Sequence, residues 1–311
     1  RVNTDFIDNV GGVDCSDNEV NIKILLNSLV NDGELTIKQR NKLLYDMTDD
    51  VSAIVLKDCY RQTQSISITE LAGVKQLKEQ LRFIHGLERE GQLNRELEFI
   101  PSDDEISDRV ATDQGLTRPE LSVLIAYGKM VMKDALNIPE ITENPYHARL
   151  LLEAFPEVLR SRFNEHMQQH PLRGEIIATK LTNNMVNDMG LNFVFRLQEE
   201  TGASVSEIAD AYAIVHGIFN MDNLWGRIED LDNVICAKLQ LTMLDEARRI
   251  MRRGARWYIR HGNKAHSIED AIESYRGTFD LLSKNLQHYL VESEYSQLEA
   301  ATQKYIEQDV P

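Results

Sequence analysis

Six times along this chain a Ser or Thr stands three residues ahead of an acid or Gln, just before apolar residues at helical spacing. The pairs are Thr36/Gln39, Ser67/Glu70, Ser102/Glu105, Thr117/Glu120, Ser204/Glu207 and Ser267/Asp270. Each is a capping-box signature, in which the side chain at the helix start and the one a turn later satisfy backbone N–H groups that the helix cannot. After Ser67 the apolar residues are Leu71, Val74, Leu77 and Leu81; after Ser204 they are Ile208, Tyr212, Val215 and Phe219. Stops follow: Gly33, Gly91, Gly190 and Gly202 fall where the periodic runs end, as helix-terminating glycines do. Extended character is confined to Arg1–Phe6 and Leu191–Phe195, and no strand pattern alternates with helices after residue 30. The spacing therefore predicts an all-α body.

The rest of the sequence narrows what such a body does. At 311 residues it is long enough for one large domain or two smaller ones. A net charge of −16 disfavours general nucleic-acid binding, which needs Lys and Arg against phosphates. No apolar run approaches the roughly 20 residues of a membrane span, and no secretory leader opens the chain, so a cytoplasmic protein with no membrane or nucleic-acid partner is expected. Its first residue is Arg1, which suggests a piece of a longer polypeptide. Cys15, Cys59 and Cys236 are odd in number and widely spaced, pointing to reduced thiols.

The candidate metal and anion signals are weak. His166 and His170 are four apart, but Glu165 precedes the first His and Pro171 follows the second, so the zinc-protease pattern is missing; two partly exposed histidines near a helix end are expected. His261 and His266 have no third ligand nearby in sequence. The arginines of residues 246–264 suit pairing with an acid-rich surface better than a phosphate site. The acids of residues 102–108 lack the glycine and terminal Glu of a calcium loop and suit a helix start. No glycine-rich phosphate loop and no nucleophile–base pair is present, so no metal site and no catalytic residue is assigned.

One segment stands apart. In "NVGGVDCS", Asn9–Ser16, two adjacent glycines precede a helical run. Gly11 and Gly12 allow positive φ or close backbone approach. Ser16, or Asp14 or Asp17 beside it, is placed to cap the following helix, whose free N–H groups favour a carboxylate or phosphate.

This segment resembles the Asn-x-Gly-Gly-Val-x-x-Ser motif near the end of the cofactor domain of glutamate dehydrogenases, and the longer string 3–27 resembles the large bacterial NAD-specific members. The resemblance continues through 56–67, 115–127, 170–190 and 224–232; Asn18 departs from it, standing where His is expected. It implies that Asn9 lies near the nicotinamide of NAD, with Gly11 and Gly12 forming the turn beside it, and that Val13 and Ser16 line the glutamate pocket. It implies residues 1–30 as the tail of an α/β, Rossmann-like NAD-binding domain and 31–311 as a helical C-terminal domain, divided near 92–113 or 136–145 if it has two helical groups. The family's catalytic Lys and Asp and its phosphate loop belong to earlier sequence, so the chain alone is expected to be inactive, with a structural, assembly or regulatory role. Its implied partners are the rest of the same polypeptide and further copies in a homo-oligomer. The competing expectation is a free-standing helical interaction module without catalysis.

Overall fold

A computed structural model describes residues 2–263, 266–308 and 310, and among these every regular element is a helix. The chain divides into two compact units, residues 1–206 and 207–311.

The first unit holds α1 (Asp5–Asp8), α2 (Val10–Asn31), α3 (Ile37–Asp46), α4 (Thr48–Ala72), α5 (Val74–Arg89), α6 (Asp103–Ala111), α7 (Arg118–Leu136), α8 (Pro139–Thr142), α9 (Pro145–Glu153), α10 (Glu157–Gln168), α11 (Arg173–Met189) and α12 (Phe193–Thr201). Its centre is α11, whose Ile177, Ala178, Leu181, Met185 and Val186 are sealed from solvent while α4, α7 and α9 pack around it. The second half of α2 enters the same interior. Ile22, Leu25, Leu26 and Leu29, spaced at i, i+3, i+4 and i+7, join Phe155, Leu159 and Met167 in one core. Each such side chain contributes about 1.5–3 kcal/mol relative to exposure.

The second unit holds most of α13 (Val205–Phe219), then α14 (Met221–Glu229), α15 (Ala237–His261), α16 (Ile268–Lys284), α17 (Leu286–Tyr289) and α18 (Glu292–Ile306). Gly217 of α13 lets α16 approach, since a Cβ there would lie 2.5 Å from Ile272 Cδ1. Gly254 does the same for α15 against Val215 and Phe219 of α13. Neither α17 nor α18 buries a residue.

The helix starts expected at Thr36, Ser102 and Thr117 carry capping boxes, and Ser267 Oγ accepts from Asp270 N at 3.1 Å. Gly33, Gly91, Gly190 and Gly202 all take positive φ just past helix ends. Three local expectations are corrected. Ser67 starts nothing: α4 runs through it, its hydroxyl donates to Thr63 O at 2.9 Å, and the break falls at Gly73, where φ is +54°. The two stretches with extended character form no strand. Arg1 lies outside the described residues, Asp5 and Phe6 are in α1, and Phe193–Phe195 open α12. The turn expected at Gly11 and Gly12 is also absent. α2 begins at Val10, both glycines sit inside it without positive φ, and Asp14, Ser16 and Asp17 are interior positions rather than caps. The start of α2 follows directly on α1, and Gly12 N already donates to Asn9 O at 3.1 Å.

Candidate functional site

Because α2 is helical from Val10, the residues of the Asn-Gly-Gly-Val-Ser string distribute by face. Asn9, Gly12, Val13 and Ser16 lie at i, i+3, i+4 and i+7 and form one solvent-facing stripe, with Val13 64% exposed. Gly11 turns the other way, toward α4, where a Cβ would be 3.8 Å from Cys59 Sγ, an ordinary contact distance. At Gly12 nothing lies within 4 Å of that position. Asn9 Nδ2 donates to Asp5 Oδ1 at 3.1 Å. Ser16 Oγ has no hydrogen-bond partner among the described residues, unlike Ser52, Ser107 and Ser122, which bond the carbonyl one turn back.

Beneath the stripe the helices enclose polar space. Asp14 and Asp17 of α2, Asp58 and Gln62 of α4, Lys129 of α7, and Thr179 and Asn183 of α11 line a cavity of about 230 Å³ that Val13 also borders. A second pocket of about 280 Å³ shares Asp14, Asp17, Asp58, Thr179 and Asn183 and adds Lys180. The sequence arranges these residues by helical spacing: Asp58 and Gln62 are one turn apart on α4, as are Thr179 and Asn183 on α11. Lys180 Nζ approaches Asp58 Oδ2 at 3.7 Å, and Lys129 Nζ donates to Gln62 Oε1 at 2.7 Å.

Two groups here are electrostatically uncomfortable. Asp14 Oδ2 is buried with no partner, and burial, reinforced by the Asp58 charge, pushes the carboxyl up to about 6. Lys129 keeps some exposed surface, but its amine is packed round by protein, and that burial pulls it down to about 8 despite the opposing influence of Asp58 and Asp14. Since the folded carboxyl titrates above the unfolded value of 3.8, Asp14 penalises the fold above about pH 6 and the penalty fades as pH falls from there toward 3.8. Asp14→Asn is therefore expected to raise the unfolding temperature at pH 7.5, with the gain vanishing near the acid end of that window. A thermal-unfolding series across pH checks this; an equal gain at both ends would sink it.

The other candidates resolve structurally. His170 is buried rather than partly exposed. Its Nδ1 accepts from Leu172 N and its Nε2 donates to Asn21 O, both at 3.1 Å, which fixes one neutral tautomer; burial holds its pKa below the usual histidine value. His166 contacts Glu34 at 3.0 Å. Among the described residues no three His, Cys, Asp or Glu side chains group to hold a metal. In the arginine-rich helix Arg248 is buried and Arg249 pairs with Glu246. Asp103 of the acidic stretch binds Arg95 and His85, which lowers its pKa.

The stripe on α2 is tied to the helical body by Arg118. Arg118 Nε donates to Asn3 Oδ1, and Nη1 donates to Ser67 Oγ and Glu70 Oε2, each at 2.9 Å. Asn3 in turn holds Asp8 through its side chain at 2.7 Å. The segment that leads into α2 thus has a buried anchor 115 residues away.

Two family models match parts of the chain, and the first of them defines its class. The model described as glutamate dehydrogenase, C-terminal, matches residues 113–311, and the chain belongs to that family. A second model, bacterial NAD-glutamate dehydrogenase, catalytic domain, matches residues 1–69. Among similar curated proteins are the NAD-specific glutamate dehydrogenases of Halomonas elongata, 44% identical over the whole chain, and Pseudomonas aeruginosa, 42% identical over 99% of it. That of Mycobacterium tuberculosis is 33% identical over the whole chain. The chain spans 19% of the length of each of these relatives. Among the described residues no helix is long and apolar enough to cross a membrane.

Proposed function

We propose that the chain is the C-terminal part of an NAD-dependent glutamate dehydrogenase, which interconverts L-glutamate, NAD and water with 2-oxoglutarate, ammonia and NADH. The observation that supports this is the exposed stripe on α2, which falls inside the segment matched by the catalytic-domain model. Its chemistry suits the two ligands. Gly12 leaves open space where a flat ring can lie against backbone, and Asn9 has a carbonyl oxygen uncommitted among the described residues, an acceptor for a carboxamide N–H. Asn9 and Gly12 would hold the nicotinamide end of NAD, which supplies the hydride acceptor when bound, while Gly11, facing α4, would serve only the packing behind them. Val13 and Ser16 would border glutamate, with the unengaged Ser16 hydroxyl donating to a carboxylate.

The resemblance puts the catalytic Lys and Asp and the phosphate loop in earlier sequence, so the 311-residue chain alone is expected to be inactive, with the rest of the polypeptide completing the site. Leu281, Leu282, Leu286, Tyr289, Val291, Leu298 and Ile306 are exposed apolar residues around α16–α18, which supports a further role in assembly, including homo-oligomer formation.

Steady-state kinetics test the reading. In the full-length enzyme Ser16→Ala is expected to lower kcat/KM for glutamate by about ten- to a hundredfold, the loss of one hydrogen bond to a charged group. KM for NAD should move much less. Turnover by the isolated chain, or an unchanged glutamate kcat/KM in Ser16→Ala, would overturn it.

A further inference from the structure

α1 is a single helical turn, and one of its side chains sets the polarity of the stripe that follows on α2. We propose that Asp5 is a positioning residue for the cofactor: its carboxylate fixes the Asn9 amide so that the carbonyl oxygen alone faces outward, which selects a ring carrying an N–H donor over one whose substituent can only accept. This rests on the nicotinamide reading of Asn9 and adds the residue that decides what the ring must carry.

Three observations carry it. The first is chemical. An ionised carboxylate accepts and cannot donate, so the Asn9 group that meets Asp5 is the amide nitrogen. Nδ2 donates to Asp5 Oδ1 at 3.1 Å, and Oδ1 of Asn9, turned away, has no partner among the described residues. The second is that Asp5 grips Asn9 twice, since Asn9 N also donates to Asp5 O at 2.8 Å. Asn9 stands between α1 and α2 at φ −102° and ψ 8°, and both of these bonds lead back to the same residue. The third is the bracing of the turn that carries Asp5. Asn3 and Ile7, on either side of it, are buried. The Asn3 side chain accepts from Arg118 Nε at 2.9 Å and donates to Asp8 Oδ1 at 2.7 Å, so the end of α1 is tied through Asn3 to α7. A braced turn keeps its carboxylate in place, which holding an amide in one of its two orientations requires.

A selection rule follows. The carboxamide of NAD has a donor and an acceptor, and it can give its N–H to Asn9 Oδ1. An acetyl group in its place has a similar shape and no donor. Its carbonyl oxygen would meet Asn9 Oδ1 lone pair to lone pair and leave both without a hydrogen. Without Asp5 the Asn9 amide is free to turn over and offer Nδ2 instead. Removing the positioning residue therefore improves binding of the wrong cofactor, which a loss of structure cannot do.

Titration calorimetry of the full-length enzyme reads this without turnover, using NAD and its acetylpyridine analogue. The unaltered enzyme is expected to bind NAD about threefold to tenfold more tightly than the analogue, the worth of one hydrogen bond. Asp5→Ala should bind the analogue about threefold to tenfold more tightly than the unaltered enzyme does. NAD, which can reverse its carboxamide to match, should change less. Asp5→Lys, which can only donate, should shift the ratio of the two affinities further the same way, and it stands in if Asp5→Ala fails to fold. Asn9→Ala separates the proposal from the reading beneath it and is expected to weaken NAD binding. Unchanged NAD affinity in Asn9→Ala would sink the nicotinamide reading and the proposal together. Weakened NAD binding there, with the unaltered ratio kept in Asp5→Ala, would remove the positioning role and leave the reading standing. Equal affinities of the unaltered enzyme for the two cofactors would also overturn the proposal.

Discussion

Arg118→Met is expected to lower the stability of the first unit by about 2–4 kcal/mol. Loss of one partner from a fully sealed ion pair costs about 3–5 kcal/mol. The figure is smaller here because Glu70 keeps 36% of its side-chain surface, while Arg118 keeps only 8%. The loss has two parts. Met fills the space of the aliphatic stem but donates nothing, so Asn3 Oδ1, Ser67 Oγ and Glu70 Oε2 lose a donor together. Without Arg118, the segment before α1 keeps its bonds to Asp8 and Ile7 but none to the distant helices among the described residues. Arg118→Lys should recover little, since one ammonium cannot reach the Asn3 side and the Ser67–Glu70 side as a guanidinium fork does. Urea unfolding followed by hydrogen exchange in α4 and α7 measures both variants. A Met variant within about 0.5 kcal/mol of the parent, the range of ordinary surface substitutions, would refute the anchor.

The second large effect belongs to Gly115→Ala. A Cβ on Gly115 would sit 2.8 Å from Gly73 Cα and 2.9 Å from Gly73 C. Both are backbone atoms, so no side chain can swing aside. Gly73 itself is held at φ +54° between α4 and α5, which restricts it further. The cost is expected at the upper end of the about 1–3 kcal/mol for overpacking, or above it. Gly128→Ala is the natural control: its Cβ would meet only the tip of the Phe83 ring, at 3.4 Å, and a small ring shift absorbs it. Equal stability of the Gly115 and Gly128 variants would show that the two backbones are not locked together.

What could be read from the sequence was whatever is decided within one helical turn. Thr36, Ser102, Thr117 and Ser267 each find their partner three residues on, so local spacing located them. Ser67 has the same spacing to Glu70, yet a distant residue decides its role: Arg118 takes both side chains, and the helix continues past them. Gly11 and Gly12 misled for a related reason. Glycine permits a turn without requiring one, and the helix around them is held by Arg118 through Asn3 and by the buried leucines further along α2. The stripe of Asn9, Gly12, Val13 and Ser16 was named from its resemblance; that it is a helix face became visible only once the segment proved helical. The cavity left no sequence signal. Lys129 sits in an ordinary helical period, and its neighbours Asp14, Asp58 and Asn183 are scattered over residues 14–183. Their common environment exists only because α2 packs on α4 while α4 and α7 pack on α11.

The Arg118 anchor and the α2 leucines also set how this polypeptide can be divided. The family-model boundaries suggest a cut between residues 69 and 113, with an enzyme portion before it and a helical portion after. Such a cut would pass through a shared interior. Ile22, Leu25, Leu26 and Leu29 pack with residues of α9–α11, and Asn3 with Arg118. Severed there, each piece would expose apolar residues that the other now covers, so the two are not expected to behave as independent modules. Residues 3–69 and the rest of the first unit thus share one packed interior, pinned at its start by Asn3 on Arg118.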